Sequence, residues 1–565
     1  MSIATEIARI QQAKADIVRA LGRIGYVIND NQTLDEIPEV IDPISKGQEI
    51  TYLEKDQNYL TFKWVENGKF YWKTSNVSWT RNIQYKKNGT GDWITITSST
   101  NGYVCDCVKG DEIWVKGNNT EYADSSYYCY FTTIGKTYIS GNVNSLINFS
   151  NTLSDYCFKY LFYNCYFIDI NKEKQLLLPA TTLASKCYYY MFQYCTSLTT
   201  APELPATTLA EYCYYRMFES CISLTIAPEL PATTLANNCY NNMFQGCTSL
   251  TKAPKLPATT LTDSCYNGMF GSCKSLVTAP ELPATTLTDS CYNGMFMNCT
   301  SLTTAPELPA QTLASNCYKQ MFYYCASLTT APELPATKLA DYCYCSMFQY
   351  CTSLTTAPEL PATTLANYCY QNMFQGCRSL ITTPELPATQ LENYCYCAMF
   401  YDCISLTTAL ELPAQTLANY CYKQMFRGCT SLTTAPELPA TTLIENCYCE
   451  MFWNCTSLTT APELPAIKLA KNCYVNMFMG CTSLTTAPEL PATTLTDYCY
   501  SQMFMGCTSL NYIKCLATNI SASGCTGNWV KGVAASGTFV KTASMSSWTT
   551  GNNGIPSGWT VQDAA

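Results

Sequence analysis

The sequence predicts a curved α/β solenoid in which each 26-residue unit contributes one short parallel strand and one helix. Three observations predict this fold. A nine-residue motif bounded by cysteines, such as "CYQNMFQGC" from Cys369 to Cys377, recurs many times. Its apolar positions follow a helical period, and a proline-containing stretch separates each copy from the next. A fixed period of this size is typical of a solenoid, whose units bury their apolar sides against their neighbours.

The copies of the motif are regularly spaced. Thirteen first cysteines follow one another at intervals of 26 residues: Cys187, Cys213, Cys239, Cys265, Cys291, Cys317, Cys343, Cys369, Cys395, Cys421, Cys447, Cys473 and Cys499. A fourteenth copy, "CFKYLFYNC", begins at Cys157, 30 residues before Cys187. Fourteen copies with two cysteines each account for 28 of the 36 cysteines. The array is therefore predicted to occupy residues 146–514.

Each unit is predicted to contain a helix followed by a strand. The apolar residues from Cys369 to Cys377 lie at offsets 0, 1, 4, 5 and 8, which form one face of a helix. Asn367 and its equivalents suit the N-cap of that helix. Two prolines exclude helix from the next stretch, so "SLTTA" is predicted as a parallel strand. Because strands stack about 4.8 Å apart and helices about 8–10 Å apart, the array should bend.

The cysteines are predicted to be small buried apolar side chains. A ladder of disulfides between repeats and thiolate metal binding are the alternatives. The extra cysteines Cys345, Cys397 and Cys449 occur in every second unit. Helix packing would place neighbours among them about 20 Å apart. For Cys105 and Cys107, on one face of a predicted strand, simple burial is also expected, so no metal or cofactor is predicted.

The segments outside the array differ in character. Residues 1–46 carry a short heptad pattern that favours a trimeric coiled coil, although an ordinary amphipathic helix packed on its own chain would show the same pattern. Its apolar positions are Ile3, Ile7, Ile10, Ile17, Leu21 and Ile24. Residues 47–145 alternate like strands and contain Asn-Gly hairpin turns, which predicts an antiparallel β domain, sandwich-like, that caps the first repeat. Residues 515–565 are predicted to form a β-rich C-terminal cap.

Composition excludes several classes of function. The chain has 565 residues, a formal net charge of −9 and no histidine. The acidic balance argues against a nucleic-acid partner, and the lack of histidine removes imidazole-dependent catalysis. No segment is apolar enough to insert in a membrane, and the first residues do not resemble a signal peptide, so we expect folding in a reducing cytoplasm. An enzyme is not expected.

Two sets of positions could serve recognition. Ten side chains vary between repeats and would face outward from the predicted helices, either because exposed positions drift or because they meet a receptor: Tyr189, Tyr190, Arg216, Lys319, Tyr323, Tyr324, Lys423, Arg427, Trp453 and Met479. A glutamate also recurs once per repeat, with Lys255 as the exception: Glu203, Glu229, Glu281, Glu307, Glu333, Glu359, Glu385, Glu411, Glu437, Glu463 and Glu489. This row is expected to be solvated, and a row of cations or a glycan that matches the repeat is the alternative.

The repeat resembles the BspA-like leucine-rich repeats, whose units follow the pattern "MF..C.SLT.....LP...L". The matching residues in one unit are Met373, Phe374, Cys377, Ser379, Leu380, Leu386, Pro387 and Leu391. This resemblance implies a curved α/β solenoid that serves adhesion or recognition. Residues 1–45, with "TLDEIPEVID" from Thr33 to Asp42, are similar to a short module on tail-fibre and related virion proteins of gut bacteriophages. The β domain resembles the module that precedes such repeats in phage and Bacteroides proteins.

These resemblances imply a bacteriophage virion protein, a tail fibre or other appendage, that attaches to the host surface. Its expected partners are other virion proteins, through residues 1–46, and a bacterial surface receptor, with a glycan as one form. The protein would be assembled in the host cytoplasm and located in the virion. A bacterial BspA-like surface adhesin is the alternative.

Overall fold

The computed structural model describes residues 58–546 and 548–564. The predicted coiled coil of residues 1–46, including the six seam positions from Ile3 to Ile24, lies outside the described residues. The chain divides into two compact units, residues 1–232 and residues 233–565. The first unit contains the β domain and the first repeats, and the second contains the remaining repeats and the C-terminal segment.

The first unit begins with two sheets packed around an aromatic core. Its strands are β1 Leu60–Trp64, β2 Gly68–Thr74, β3 Asn82–Lys87, β4 Ile94–Thr97, β5 Tyr103–Cys107, β6 Glu112–Lys116, β7 Cys129–Ile134, β8 Thr137–Asn142, β9 Ile168–Ile170 and β10 Leu176–Leu177. One sheet has the order β10-β8-β1-β6-β3-β4, with β9 also on β8, and the other is β5-β2-β7. Phe62 and Phe70 pack against Phe131 at ring distances of 5.1 and 5.7 Å.

Strand β8 connects the antiparallel domain to the repeats. It pairs antiparallel with β1, and its other edge pairs parallel with β9 and β10. A parallel partner on this edge is what the first repeats supply, because successive repeats run in the same direction. The β domain thus provides hydrogen-bond partners for the backbone of the first repeat.

The predicted helix in each repeat is absent, so the α/β class is wrong. Within residues 58–546 and 548–564, the single helical element is a short 3-10 turn, Val143–Leu146. The motif from Cys369 to Cys377 instead forms a chain of tight turns. The N–H groups of Cys369, Gln371 and Met373 each donate to the carbonyl three residues back, at 3.1 to 3.4 Å. The described residues are almost entirely in β-type and turn backbone.

The intervening N–H groups bond to the next repeat. Tyr370 donates to the carbonyl of Cys395, and Phe374 donates to that of Met399, at 3.0 and 2.9 Å. One set of peptide groups therefore closes turns and the alternate set joins repeats, which accounts for every N–H from 368 to 377. We call this element the turn ribbon, defined as the residues from one before to eight after the first cysteine of a repeat. Buried peptide groups need such partners, and here half of the partners lie in the neighbouring repeat.

The turn ribbon requires a left-handed residue at every fourth position. In the repeat of Cys369 these residues are Tyr368, Asn372 and Gly376, with φ of +59°, +55° and +71°. In the other complete repeats the same three positions also have positive φ. Asparagine and glycine tolerate this conformation best, and bulky residues rarely adopt it.

The proline-containing stretch also stacks in parallel, but with little strand. The "SLTTA" segment contributes one bridge between neighbouring repeats, such as Thr330 to Thr356. A second bridge follows the prolines, such as Lys338 to Thr364. The predicted short strand is therefore reduced to a single bridge in these repeats. Because the described repeats contain no helix, the predicted bend from unequal helix and strand spacings loses its basis.

The residue predicted as a helix N-cap has a different role. The Asp341 carboxylate accepts from the backbone N–H of Asn367, the equivalent residue of the next repeat, at 3.0 Å. Asp289 and Ser315 form the same contact at 3.1 Å. The N-cap prediction is wrong because these side chains satisfy a neighbouring repeat and no helix follows them.

The interior of the second unit is built from columns of identical side chains. The rings of Tyr370 and Tyr396 stack at 5.8 Å, and those of Phe374 and Phe400 at 5.6 Å. The two motif cysteines, the methionine and a leucine of these repeats are fully buried beside them. The predicted burial of these apolar residues is confirmed, although they are carried by turns and not by a helix.

All 36 cysteines are free thiols, and all except Cys105 are buried. The second cysteine of the motif is also a hydrogen-bond donor: the Cys377 thiol donates to the Phe348 carbonyl of the preceding repeat at 3.1 Å. Cys345, Cys397 and Cys449 are buried too. The predicted separation of 20 Å assumed packed helices, which these repeats lack, and stacking at strand spacing implies about 10 Å between cysteines two units apart.

The C-terminal segment continues the stack. Strands β11 Tyr512–Cys515, β12 Thr538–Lys541 and β13 Thr560–Asp563 form a parallel sheet in that order. Cys525 lies 26 residues after Cys499, and Trp529 takes the place of the motif methionine. The Trp529 ring stacks on Tyr500 at 6.2 Å and on Trp548 at 5.6 Å. A further degenerate copy of the motif, which sequence reasoning missed, thus extends the columns.

Candidate recognition surface

Variable side chains of the turn ribbon lie at the surface, and most of them contact neighbouring side chains in small separate groups. The ten residues predicted to face outward all lie on it, and nine of them are half-buried. Tyr324 is the exposed member, at 46%. These residues lie near the surface although the helix is absent. In a turn ribbon with four residues per turn, pairs of neighbouring residues point alternately inward and outward, as they would on a helix.

In the first unit, the residues Tyr189, Tyr190 and Arg216 belong to a dense tyrosine cluster. Tyr190 stacks on Tyr160 at 4.9 Å, and Tyr189 stacks on Tyr215 at 4.8 Å. The Arg216 guanidinium lies 5.3 Å from the Tyr215 ring centre and 3.2 Å from the Glu219 carboxylate. Burial raises the pKa of Tyr189 to about 12 and also raises that of Tyr190, so both phenols are neutral donors at physiological pH.

In the second unit, two smaller groups contain four of the predicted residues. Tyr323 and Tyr324 both contact Tyr350, at ring distances of 5.9 and 5.1 Å. Arg427 lies 3.6 Å from the centre of the Trp453 ring. A carboxylate, Glu450, pairs with Arg427, so this cation is already partly neutralised.

The remaining predicted residues are separate from these groups. Lys319 and Lys423 lie over Tyr342 and Tyr420, at 5.0 and 5.5 Å from the ring centres. Met479 is half-buried on the same element. The structure therefore distributes the ten residues over several places and does not bring them into one site.

The longest regular feature of this surface was missed by sequence reasoning. Four consecutive repeats carry a tyrosine immediately before the first cysteine: Tyr342, Tyr368, Tyr394 and Tyr420. Their half-buried rings stack at 4.4, 4.7 and 4.5 Å with interplanar angles of 6°, 11° and 9°. We call this feature the tyrosine row. Its sequence signal is the recurrence of "DYC" or "NYC", which the helical interpretation treats as a helix start.

An amide row runs beside the tyrosine row. It consists of the residues one position earlier: Asp341, Asn367, Asn393 and Asn419. The Asn393 amide donates to the Asn367 carbonyl oxygen at 3.2 Å, and Asn367 donates to Asp341 at 3.4 Å. The Asn393 carbonyl oxygen accepts from the backbone N–H of Asn419 at 3.2 Å. The side chains of both rows are therefore aligned at the spacing of the repeat.

The glutamate row is exposed along its length. Glu489 pairs with Lys514 at 2.9 Å. Within the described residues, no group of three or more histidine, cysteine, aspartate or glutamate side chains is arranged to hold a metal ion. The row thus offers single carboxylates at each repeat.

Residues 105 and 107 form a close pair of thiols. Their sulfur atoms lie 3.9 Å apart, with Cys107 buried and Cys105 half-exposed. The predicted burial is correct for Cys107 and only partial for Cys105.

The geometry defines a repeat protein with a constant interior and variable positions on its turn surface. Residues 266–407 and 389–524 match the family model described as "BspA type Leucine rich repeat region (6 copies)". This part of the chain is a BspA-type leucine-rich repeat region. No curated protein and no solved structure gave a significant match. In the part of the chain that the structure describes, no helix is long and apolar enough to cross a membrane.

Proposed function

We propose that this protein is an attachment protein that binds a bacterial cell surface through its repeats. The observation that supports this function most is the contrast between the interior and the turn surface. The motif cysteines, tyrosines and phenylalanines are the same in almost every repeat, whereas the outer positions carry clusters of tyrosine, tryptophan and arginine. Aromatic residues and arginine dominate binding energy at protein interfaces.

The more specific proposal is a bacteriophage tail fibre or other virion appendage. The thiol hydrogen bonds support it, because the donor in each contact is an S–H group. A disulfide would remove that donor, so the repeats fold best where thiols stay reduced, as in the cytoplasm in which virions are assembled. Residues 1–46 would join other virion proteins as a trimer, and a receptor, with a glycan as one form, would be bound farther along the chain.

The second candidate is a bacterial surface adhesin. It is favoured by the match to the BspA-type repeat region, because the resemblance implies adhesion. Neither candidate requires catalysis or a cofactor, and we propose none.

Mass spectrometry of separated fractions distinguishes the two candidates. Virions and bacterial envelopes are purified from the same culture, and peptides of this chain are quantified in each fraction. A virion protein is expected to co-purify with capsid proteins through a density gradient. Recovery from envelopes of uninfected cells would instead identify the bacterial adhesin, and absence from both fractions would contradict the attachment function.

A further inference from the structure

In four consecutive repeats, a tyrosine occupies a position whose backbone conformation is unfavourable for a bulky side chain. Tyr342, Tyr368, Tyr394 and Tyr420 have φ between +57° and +59°. Bulky residues are rare in this region, although the repeat backbone requires a left-handed residue here. The same position holds asparagine in other repeats: Asn238, Asn316, Asn446 and Asn472. The fold alone therefore does not require tyrosine here, and the unbroken run calls for another reason.

Stacking leaves the edges of the rings available and covers their faces. Each inner ring has a neighbour on both faces at 4.4 to 4.7 Å, and Lys319 and Lys423 lie over the two outermost rings. A ligand would therefore meet the ring edges and the hydroxyl groups. Each hydroxyl can both donate and accept a hydrogen bond.

The amide row adds a second column of polar groups. The hydrogen bonds between Asp341, Asn367 and Asn393 use one of the two N–H groups of each amide. A phenol and an amide group lie side by side in each repeat, and this spacing matches a ligand that carries hydroxyl groups at regular intervals. A ligand with a repeating unit can make the same contacts at each repeat of the protein.

The charges nearby are mixed. Lys319 and Lys423 are positive, whereas Asp341 and Glu392 are negative, and the two middle members of each row are uncharged. Such an arrangement gives no net preference for an anionic or a cationic polymer. An uncharged polyhydroxylated chain fits it best.

We propose that the tyrosine row and the amide row together bind an extended neutral glycan. The inference rests on the proposed attachment function and names the ligand class for it. Four rings in four consecutive repeats give a surface long enough to contact a tetrasaccharide, and affinity should grow with chain length up to about that size. The sugar hydroxyl groups replace water at the phenol and amide groups, with one sugar unit near each repeat.

The experiment measures binding of the full-length chain to immobilised linear oligosaccharides of glucose, mannose, xylose and galactose, from disaccharides to hexasaccharides. Polyuronic acids of similar length are included. The test variant is Tyr368→Asn combined with Tyr394→Asn, since asparagine already occupies this position elsewhere in the array. The matched control is Tyr498→Asn, which changes the same position outside the row, where the residue is 43% exposed.

At least one neutral series is expected to bind to the wild-type protein, and the double variant should bind about tenfold or more weakly. The control should bind as the wild type does, and unchanged thermal unfolding would show that both variants are folded. Binding of no neutral series, equal binding by the double variant, or binding of polyuronic acids alone would overturn the proposal.

Attachment to intact bacterial cells separates this inference from the proposed function. Full retention of cell attachment by the double variant would reject the rows as the site and leave the attachment function standing. Absence of cell attachment by the wild type would reject the attachment function itself.

Discussion

The second cysteine of each motif combines small size with hydrogen-bond donation. Cys351, Cys377 and Cys403 each donate to a phenylalanine carbonyl of the preceding repeat, at 3.1 Å in every case. Burial raises the pKa of Cys377 well above its usual value, so the thiol stays protonated. The sequence predicted the burial of these residues, but the donor role depends on which carbonyl lies opposite and could not be read from spacing.

Cys105 differs from the other cysteines in a way that alkylation can detect. Its pKa is lowered, chiefly by a hydrogen bond from the Cys107 thiol, and it is half-exposed. Iodoacetamide is therefore expected to modify Cys105 in the native protein, at a lower pH than an ordinary cysteine requires, because only the thiolate reacts. The buried thiols should react only after denaturation.

Peptide mass spectrometry after brief labelling measures this difference. A Cys105→Ser variant serves as the control and should lose the native labelling. Rapid labelling of motif cysteines such as Cys377 in the folded protein would contradict their burial.

The turn ribbon shows why the element was mistaken for a helix. Inward residues at offsets 0, 1, 4, 5 and 8 satisfy a helical period, but a ribbon with four residues per turn places the same positions inside. A distinguishing signal was present at the left-handed positions, where Gly268 and Gly294 would lie inside the predicted helix. Glycine there is costly in a helix and favourable in a left-handed turn. The buried set was thus predictable from apolar spacing, whereas the backbone required attention to every fourth residue.

The contact between Asp289, which immediately precedes a turn ribbon, and the next repeat gives a testable prediction. The Asp289 carboxylate accepts from the Ser315 N–H, so Asp289→Ala should lower the free energy of unfolding by about 1 kcal/mol. Asp289→Asn should retain most of the stability, because Asn393 makes the same contact to Asn419. Urea denaturation measures both variants. Equal stability of the alanine variant and the wild type would show that the contact contributes nothing.

At the scale of the molecule, the sequence predicted the array and its period but not where the surface features collect. The columns follow from a fixed step of 26 residues, which identical residues at Cys265 and Cys291 already display. The tyrosine row depends on the left-handed position before the cysteine, and the cluster around Tyr190 depends on stacking with Tyr160. Both require knowledge of which residues of neighbouring repeats lie side by side.

The central claim is that each repeat is one layer of a stack, joined to the next by backbone hydrogen bonds in a fixed register. Deletion of residues 266–291 tests it most directly, because this removes one complete period and joins Cys265 to Tyr292 within an unchanged local sequence. The matched control removes one residue fewer, 266–290, and displaces the register.

Near-UV circular dichroism, thermal unfolding and binding of an apolar dye are measured on both deletions. The full-period deletion is expected to fold cooperatively with a slightly lower Tm, while the control should expose apolar surface and lose its fixed tertiary signal. Equal behaviour of the two deletions would contradict the account, because repeats that fold as separate beads are indifferent to register.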